Sequence, residues 1–179
     1  HGTHVAGIIA SNDSTYRGVA PGANIVAMKV CNAQGQCTAS DIIAAFDKCR
    51  EVASANNIDA ISMSIGGTAY TGTCDSVSAS MTTAINNAAS AGIFVAIASG
   101  NSGYSDKIAW PSCVQNAVSV GSVEKTDAIA SYSNRNSLLD LIAPGGSSSD
   151  PISSASISGG FVGKYGTSMA TPHAAGAAL

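Results

Sequence analysis

The sequence has little charge and few aromatic residues. Charged residues make up 11% and aromatic residues 5% of its 179 positions, and the formal net charge is −3. It contains no run of Lys or Arg, so it lacks the basic surface that binds nucleic acids or anionic membranes. No apolar stretch reaches about 18 residues, so no transmembrane helix is predicted. We therefore expect neither a nucleic-acid partner nor a membrane partner.

Apolar residues, in contrast to charged ones, are abundant in the chain. They make up 45% of the chain, which suits a single domain with its own core and excludes a disordered segment. Short apolar runs alternate with amphipathic segments, a pattern typical of an α/β fold with a parallel sheet covered on both faces. The predicted elements are strands at Asn24–Val30, Ile58–Ile65, Ile93–Ser99, Ala117–Val123 and Leu138–Pro144, and helices from Thr38, from Ser76 up to Gly92, and from Thr167. At the first helix, Thr38 with Asp41 resembles a capping box, although Ser40 is an equally good cap.

The five cysteines lack the C-x-x-C spacing of zinc ribbons and thioredoxin-type motifs. An odd number in a chain rich in Ser and Gly is compatible with two disulfides and one free thiol. Cys31 and Cys37 flank a turn-like segment, and Cys74 and Cys113 lie in predicted loops. Cys49 falls on the apolar stripe of a predicted helix, where we expect a buried thiol. We take Cys31–Cys37 and Cys74–Cys113 as the working pairs, while other pairings and a fully reduced state stay open.

Ser168 and Asn101 are the first candidates for chemistry. Ser168 opens the last predicted helix, where unpaired N–H groups and the helix dipole favour a developing alkoxide or oxyanion. A serine in this position is otherwise an ordinary N-cap. Asn101 stands in the loop "ASGNSG" after a predicted strand, at the strand ends where parallel α/β sheets bind ligands. It is a candidate donor to an oxyanion, or a plain turn residue.

The opening segment "HGTHVAG" supplies a candidate base, because a serine nucleophile needs a neutral imidazole to accept its proton. His1 and His4 are three residues apart on a predicted helix and share roughly one face. With no Glu or Asp nearby, the pair does not match the H-E-x-x-H zinc motif, and we predict no metal site. His173 follows Ser168 by five residues on another face of the same helix, and we expect a structural role for it.

Four motifs in order resemble those of the subtilisin-like serine proteases, the subtilases. "HGTHVAG" resembles the histidine motif, "MSIGG" and "ASGNSG" the two cleft segments, and "GTSMATPH" the serine motif. The intervening segments "GVAPGANIVAMKV", "WPSCVQNAVSVGSV" and "ASYSNRNSLLDLIAPG" follow the same order, so the resemblance covers nearly the whole chain. It implies a three-layer, subtilisin-like α/β fold with a mostly parallel sheet. It assigns residues 1–179 to one partial catalytic domain of the peptidase S8 type.

The resemblance implies a serine endopeptidase that hydrolyses peptide bonds through an acyl-enzyme. It implies His1 as the general base, Ser168 as the nucleophile, and Asn101 with the Ser168 N–H as donors to the oxyanion. The cleft walls that would hold an extended peptide by backbone hydrogen bonds are Ser64, Ile65, Gly66, Ala98, Ser99 and Gly100. No cofactor is implied for the chemistry. The alternatives are a non-catalytic scaffold with the same fold and a serine esterase on another α/β fold.

The family's triad aspartate precedes its histidine in chain order, whereas the sequence here starts at His1. None of the chain's own aspartates lies in a matching motif. We therefore interpret the chain as a domain truncated at both ends, with the aspartate upstream, and expect the isolated polypeptide to be inactive. The longer protein is expected to be a secreted monomer that acts on polypeptides. A structural calcium ion is a further option, because the Ser11–Gly18 loop offers oxygen donors, but that loop fits a plain polar turn equally well.

Overall fold

The computed structural model describes all residues from His1 to Leu179. The helices are α1 (Gly2–Ala10), α2 (Ala39–Asn56), α3 (Ala79–Ser90) and α4 (Thr167–Ala177). The strands are β1 (Ala60–Met63), β2 (Ala69–Tyr70), β3 (Phe94–Ala98), β4 (Ile108–Ala109), β5 (Val118–Val123), β6 (Leu141–Pro144), β7 (Ile152–Ala155) and β8 (Phe161–Lys164). The main sheet has the order β1-β3-β5-β6 and all of its strands are parallel. Two small antiparallel pairs, β2 with β4 and β7 with β8, lie outside it.

Helices cover both faces of the main sheet, which confirms the predicted three-layer α/β fold. On one face, α2 and α3 pack over β1 and β3 around a core that includes Phe46, Met81 and Ile97. On the other face, α4 contacts all four strands and α1 packs against α4. Strand β3 alternates accordingly: Val95 and Ile97 join the first core, whereas Ala96 joins the second. The second core consists largely of alanines, so α4 approaches the sheet closely.

Side-chain caps fix where two of the helices begin. Thr38 accepts a hydrogen bond from the Asp41 N–H, which confirms it as the N-cap, and its hydroxyl donates to the Asp41 carboxylate. Because Asp41 accepts from the Thr38 hydroxyl rather than from the Thr38 backbone N–H, only the first half of a capping box is formed. Helix α3 begins at Ala79 rather than at the predicted Ser76. Ser78 is its N-cap, since the Ser78 hydroxyl accepts from the Met81 N–H.

The predicted strand over Asn24–Val30 is wrong. These residues run without strand pairing, and Ile25 and Val26 are 44% and 42% exposed. The reason is the lack of a neighbour, because a β-strand requires a second strand to take its backbone hydrogen bonds. A groove of about 1430 Å³ lies against this segment and is also lined by Ile58–Gly66, which includes β1, the edge strand of the main sheet.

Two disulfides join the pairs predicted from the sequence. Cys31 bonds to Cys37 across a short turn, and Cys74 bonds to Cys113. Both members of the second pair are 1% exposed and belong to the core beneath α2 and α3. Cys49 is a buried free thiol, and burial raises its pKa. None of the four helices is long and apolar enough to cross a membrane.

Candidate active site

Three segments meet where the neighbouring strands β1 and β3 end. Ser64 follows β1, Ser99 to Asn101 follow β3, and the N-terminus of α4 presents Ser168 between them. The strands are parallel, so their carboxyl ends lie at one edge of the sheet, where ligand sites of such sheets are found. The structure thus joins the predicted serine motif to both predicted cleft segments.

Ser168 is the second residue of α4 and is half-buried. Gly166 precedes the first residue of α4 and is its N-cap, so the cap has no side chain. Its φ is +140°, a backbone conformation that favours glycine. The first N–H groups of α4 therefore have no N-cap side chain to donate to, and the Thr167 N–H donates to Asn101 Oδ1 instead. They give this end of the helix a positive potential, so an anion that forms near Ser168 is stabilised.

Ser64 contacts Ser168 through two hydrogen bonds. The Ser64 hydroxyl donates to the Ser168 carbonyl at 2.8 Å, and the Ser168 hydroxyl donates to the Ser64 carbonyl at 3.4 Å. In a regular helix the Ser168 carbonyl would accept from the N–H of residue 172. That residue is Pro172, which has no N–H. The Ser64 hydroxyl supplies the missing donor.

Asn101 is bound to the same helix end through its side-chain oxygen. Asn101 Oδ1 accepts from the Thr167 N–H at 2.8 Å and from the Thr167 hydroxyl at 2.9 Å. Thr167 Oγ1 in turn accepts from the Gly100 N–H at 3.3 Å. Because the oxygen is occupied, the amide Nδ2 is the end of the side chain that is left to donate. Asn101 itself is exposed, so a ligand can reach it.

The two histidines of the opening motif have different surroundings. His1 is the exposed N-cap residue of α1, and its imidazole caps no backbone N–H of that helix. It lines the same groove as Ser64, while the Ser168 hydroxyl points to the Ser64 carbonyl rather than to an imidazole. His4 is 1% exposed, and its Nε2–H is shared between the Ile152 and Val162 carbonyls of the β7–β8 hairpin.

The cleft-wall residues divide into buried and accessible positions. Ser64, Ile65 and Gly66 line the groove beside β1. Ala98 ends β3 and is buried, and Ser99 is fully buried with its hydroxyl donating to the Asn134 carbonyl. Gly100 has φ of +105°, where a side chain would be strained. The backbone of these segments, rather than their side chains, is therefore what a bound chain would meet.

Two residues that hold the site together were not assigned from the sequence. Thr167 orients Asn101, and Asn134 bonds to the loop that carries it. Thr167 stands next to Ser168 in the serine motif, so a polar side chain at the helix start was the available signal. Asn134 stands in the polar stretch "SYSNRNS", which looks like an ordinary turn.

His173 and the Ser11–Gly18 loop were also considered from the sequence. His173 Nδ1–H donates to the Met169 carbonyl, and burial lowers the pKa of this histidine. In the loop, Asp13 Oδ1 accepts from the N–H groups of Thr15 and Tyr16, and these hydrogen bonds lower the pKa of Asp13. Calcium takes about six to eight oxygen ligands, and this loop supplies one carboxylate, already engaged. No group of three or more His, Cys, Asp or Glu side chains is placed to hold a metal.

Fold and site together define a class of protein: a three-layer α/β protein with a serine at a helix N-terminus beside an asparagine loop. The chain belongs to the subtilase family (peptidase S8), whose model matches residues 1–179. It is 42% identical to subtilisin E of Bacillus subtilis (strain 168), with 99% of this chain and 44% of that protein covered. The family assignment sets aside a serine esterase on another α/β fold.

Two solved structures share the architecture. Sphericase matches with a TM-score of 0.84 and 33% identity, covering 98% of this chain and 61% of its own. A cold-adapted subtilisin-like serine proteinase matches with a TM-score of 0.79 and 38% identity, covering 98% and 58%. The chain therefore spans between about two fifths and three fifths of the length of these relatives.

Proposed function

We propose that the protein containing these residues is a serine endopeptidase that hydrolyses peptide bonds through an acyl-enzyme. The observation that carries this proposal is the placement of Asn101. Its oxygen is held by Thr167, the residue before Ser168, which leaves the Nδ2 donor available at the positive end of α4. Oriented donors at the point where negative charge develops are the largest single source of rate in acyl transfer.

In the proposed reaction Ser168 Oγ attacks the scissile carbonyl and His1 accepts its proton. The carbonyl oxygen becomes an oxyanion that accepts from Asn101 Nδ2 and the Ser168 N–H. His1 then delivers the proton to the leaving amine, which breaks the peptide bond and leaves an ester on Ser168. Water attacks this ester with the same donors and the same base, which restores the hydroxyl. Attack requires the Ser168 hydroxyl to leave the Ser64 carbonyl, which it contacts at 3.4 Å in this structure.

We propose that the aspartate that orients His1 comes from a strand outside these residues. The groove beside β1 supports this, because β1 is an edge strand and Asn24–Val30 lies without a partner across from it. A strand placed there would pair with both and would run past His1, which lines the same groove. The 179-residue polypeptide alone is then expected to be inactive.

The proposed substrates are polypeptides, read through their backbone along Ser64–Gly66 and Ala98–Gly100. Two disulfides are typical of proteins from oxidising compartments, which supports secretion. We propose a monomer that needs no cofactor for its chemistry. Structural calcium elsewhere in the longer protein stays a prediction, and no step above depends on it.

The test uses the full-length gene product in which residues 1–179 lie. A fluorophosphonate should label Ser168, and the protein should cleave peptides as well as esters. Ser168→Ala should abolish both labelling and cleavage, whereas Ser158→Ala, in the exposed turn between β7 and β8, should change neither. Esters hydrolysed without peptides would contradict the proposal. No labelling of a folded protein would favour the non-catalytic scaffold.

A further inference from the structure

Asn134 is a buried polar residue to which the proposed mechanism gives no role. It lies between β5 and β6, is 1% exposed, and belongs to neither cleft wall. We propose that Asn134 is a positioning residue for the oxyanion donor. It fixes the loop Gly100–Tyr104, and through that loop it aims the amide of Asn101. This inference rests on the proposed function and deepens it.

The hydrogen bonds of Asn134 fall on both sides of Asn101. Asn134 Oδ1 accepts from the Ser102 N–H at 2.9 Å and from the Tyr104 N–H at 3.2 Å. The Asn134 N–H donates to the Gly100 carbonyl at 3.0 Å. One residue thus holds the neighbours that precede and follow Asn101 in the chain. The Gly100 N–H donates to Thr167 Oγ1. From Asn101 to Tyr104, Asn134 is the side chain that accepts from the backbone N–H groups of the loop.

Asn134 is itself held by the residue that follows β3. The buried Ser99 hydroxyl donates to the Asn134 carbonyl at 2.8 Å, which joins it to the end of β3. Gly100 shows how closely the two segments approach, because a Cβ on Gly100 would collide with Asn134 Nδ2. The anchor is therefore part of the sheet edge rather than of a mobile surface turn.

Asn101 needs this second anchor because its own side chain is held from one direction only. Thr167 holds Asn101 Oδ1 from α4, while the backbone of Asn101 depends on the loop. The end of the loop is also held by hydrogen bonds from the Gly103 N–H to the Tyr132 carbonyl and from the Arg135 N–H to the Tyr104 carbonyl. Loss of the Asn134 acceptor would therefore free mainly Ser102, the residue after Asn101, and let the amide sample several positions. A donor displaced by about 1 Å stabilises the transition state much less, and such displacements cost up to about 100-fold in rate.

Two substitutions of similar size separate positioning from packing. Asn134→Asp keeps an oxygen that accepts from Ser102 and Tyr104, whereas Asn134→Leu fills the same space without an acceptor. In the full-length gene product we expect Asn134→Leu to lower kcat for a peptide substrate by about 10- to 100-fold, with KM within about 2-fold. Asn134→Asp should stay within about 3-fold of wild type in kcat, because the two backbone N–H groups keep their partner.

Asn136 provides the matched control. Asn136 Oδ1 also accepts a hydrogen bond from a backbone N–H, that of Leu138. Asn136 Nδ2 donates to the Thr71 carbonyl, away from the oxyanion loop. Asn136→Leu should leave kcat within about 2-fold of wild type. An equal loss of kcat in the Leu variants at both positions would overturn the proposal, because the loss would then reflect general packing.

A double-mutant cycle supplies the readout that a purely structural role would not move. With Asn101→Leu already in place there is no donor to aim, so Asn134→Leu should cost less than about 2-fold more in kcat. Fully multiplicative losses would overturn the proposal, as would wild-type kcat in Asn134→Leu. Failure of the proposed function would give a different result. A folded wild-type protein that cleaves no peptide would contradict both that function and this inference.

Discussion

The Ser64 hydroxyl donates to the carbonyl oxygen that Pro172 leaves without a helical donor. The acceptor is the carbonyl of Ser168, at 2.8 Å, in the first turn of α4. Proline inside a helix costs a hydrogen bond, and here a residue from the end of β1 replaces it. The nucleophile's own backbone is thereby tied to a cleft wall.

The first prediction concerns this replacement. Ser64→Ala should lower the free energy of unfolding by about 1–2 kcal/mol, because a partly buried carbonyl loses its donor. In a Pro172→Ala background residue 172 has an N–H again, so Ser64→Ala should cost clearly less. Urea unfolding of the four variants in the full-length protein measures the difference. Equal costs in both backgrounds would show that the two residues do not share the carbonyl.

The second prediction concerns the oxyanion donor. Asn101→Leu should reduce kcat by about 100- to 1,000-fold with little change in KM, the range measured in subtilisin for removal of such a donor. Asn116→Leu is the control, because Asn116 bonds to Asn86 on the protein surface. Steady-state kinetics on a peptide substrate measures both. A loss in KM rather than kcat would assign Asn101 to ground-state binding.

The third prediction is a loss of stability in mild acid caused by His4. Burial is the main cause that lowers the pKa of His4, and the Lys164 ammonium adds to it. The unfolded chain binds a proton near the ordinary pKa of about 6.5, before the folded chain does. The free energy of unfolding should therefore be highest above about pH 6.5, fall as the pH drops from there toward the lowered pKa of folded His4, and level off below that pKa.

His4→Gln should reduce this pH dependence, as measured by urea unfolding between pH 4 and pH 8 (about the range set by the histidine pKa). Some dependence should remain, because burial lowers the pKa of His173 in the same direction. If wild type and His4→Gln lost stability in parallel, the β7–β8 hairpin would not be held by a neutral His4.

The fourth prediction ranks the disulfides. Opening Cys74–Cys113, which closes a separation of 39 residues, should cost about 4 kcal/mol in the chain-entropy model, and opening Cys31–Cys37, with a separation of 6, about 2 kcal/mol. Paired Cys→Ala variants of the full-length protein, unfolded in guanidinium chloride, test the order. The reverse order would mean that native packing, rather than loop closure, decides their contributions.

Patterns that depend on local sequence predicted the fold well. The apolar run that became β3 and the Thr38 cap were found because periodicity and capping operate within a few residues. The start of α3 was missed by three residues because "SVSAS" offers three serines as caps, and only Ser78 bonds to the helix. The β7–β8 hairpin was missed because its segment is dominated by Ser and Gly and shows no apolar alternation.

Relations across the chain were harder to predict. Asn24–Val30 has the composition of a strand, yet strand formation depends on a partner that composition does not reveal. Ser168 and Asn101 were found because each lies in a motif. Asn134 was not found, because its contacts are about 30 residues away in sequence, and a polar turn gives no sign of what its backbone faces.

The alanine layer under α4 has a consequence for how this site can vary. Ala96 of β3 and Ala170 of α4 lie in the same core. Ala170 follows Ser168 by two residues along the helix. A methyl group has no rotamers, so this layer acts as a spacer of fixed thickness. A larger residue there would lift the helix and carry Ser168 away from the Asn101 loop. The distance between Ser168 and the Asn101 loop is thus set by core positions that no substrate contacts.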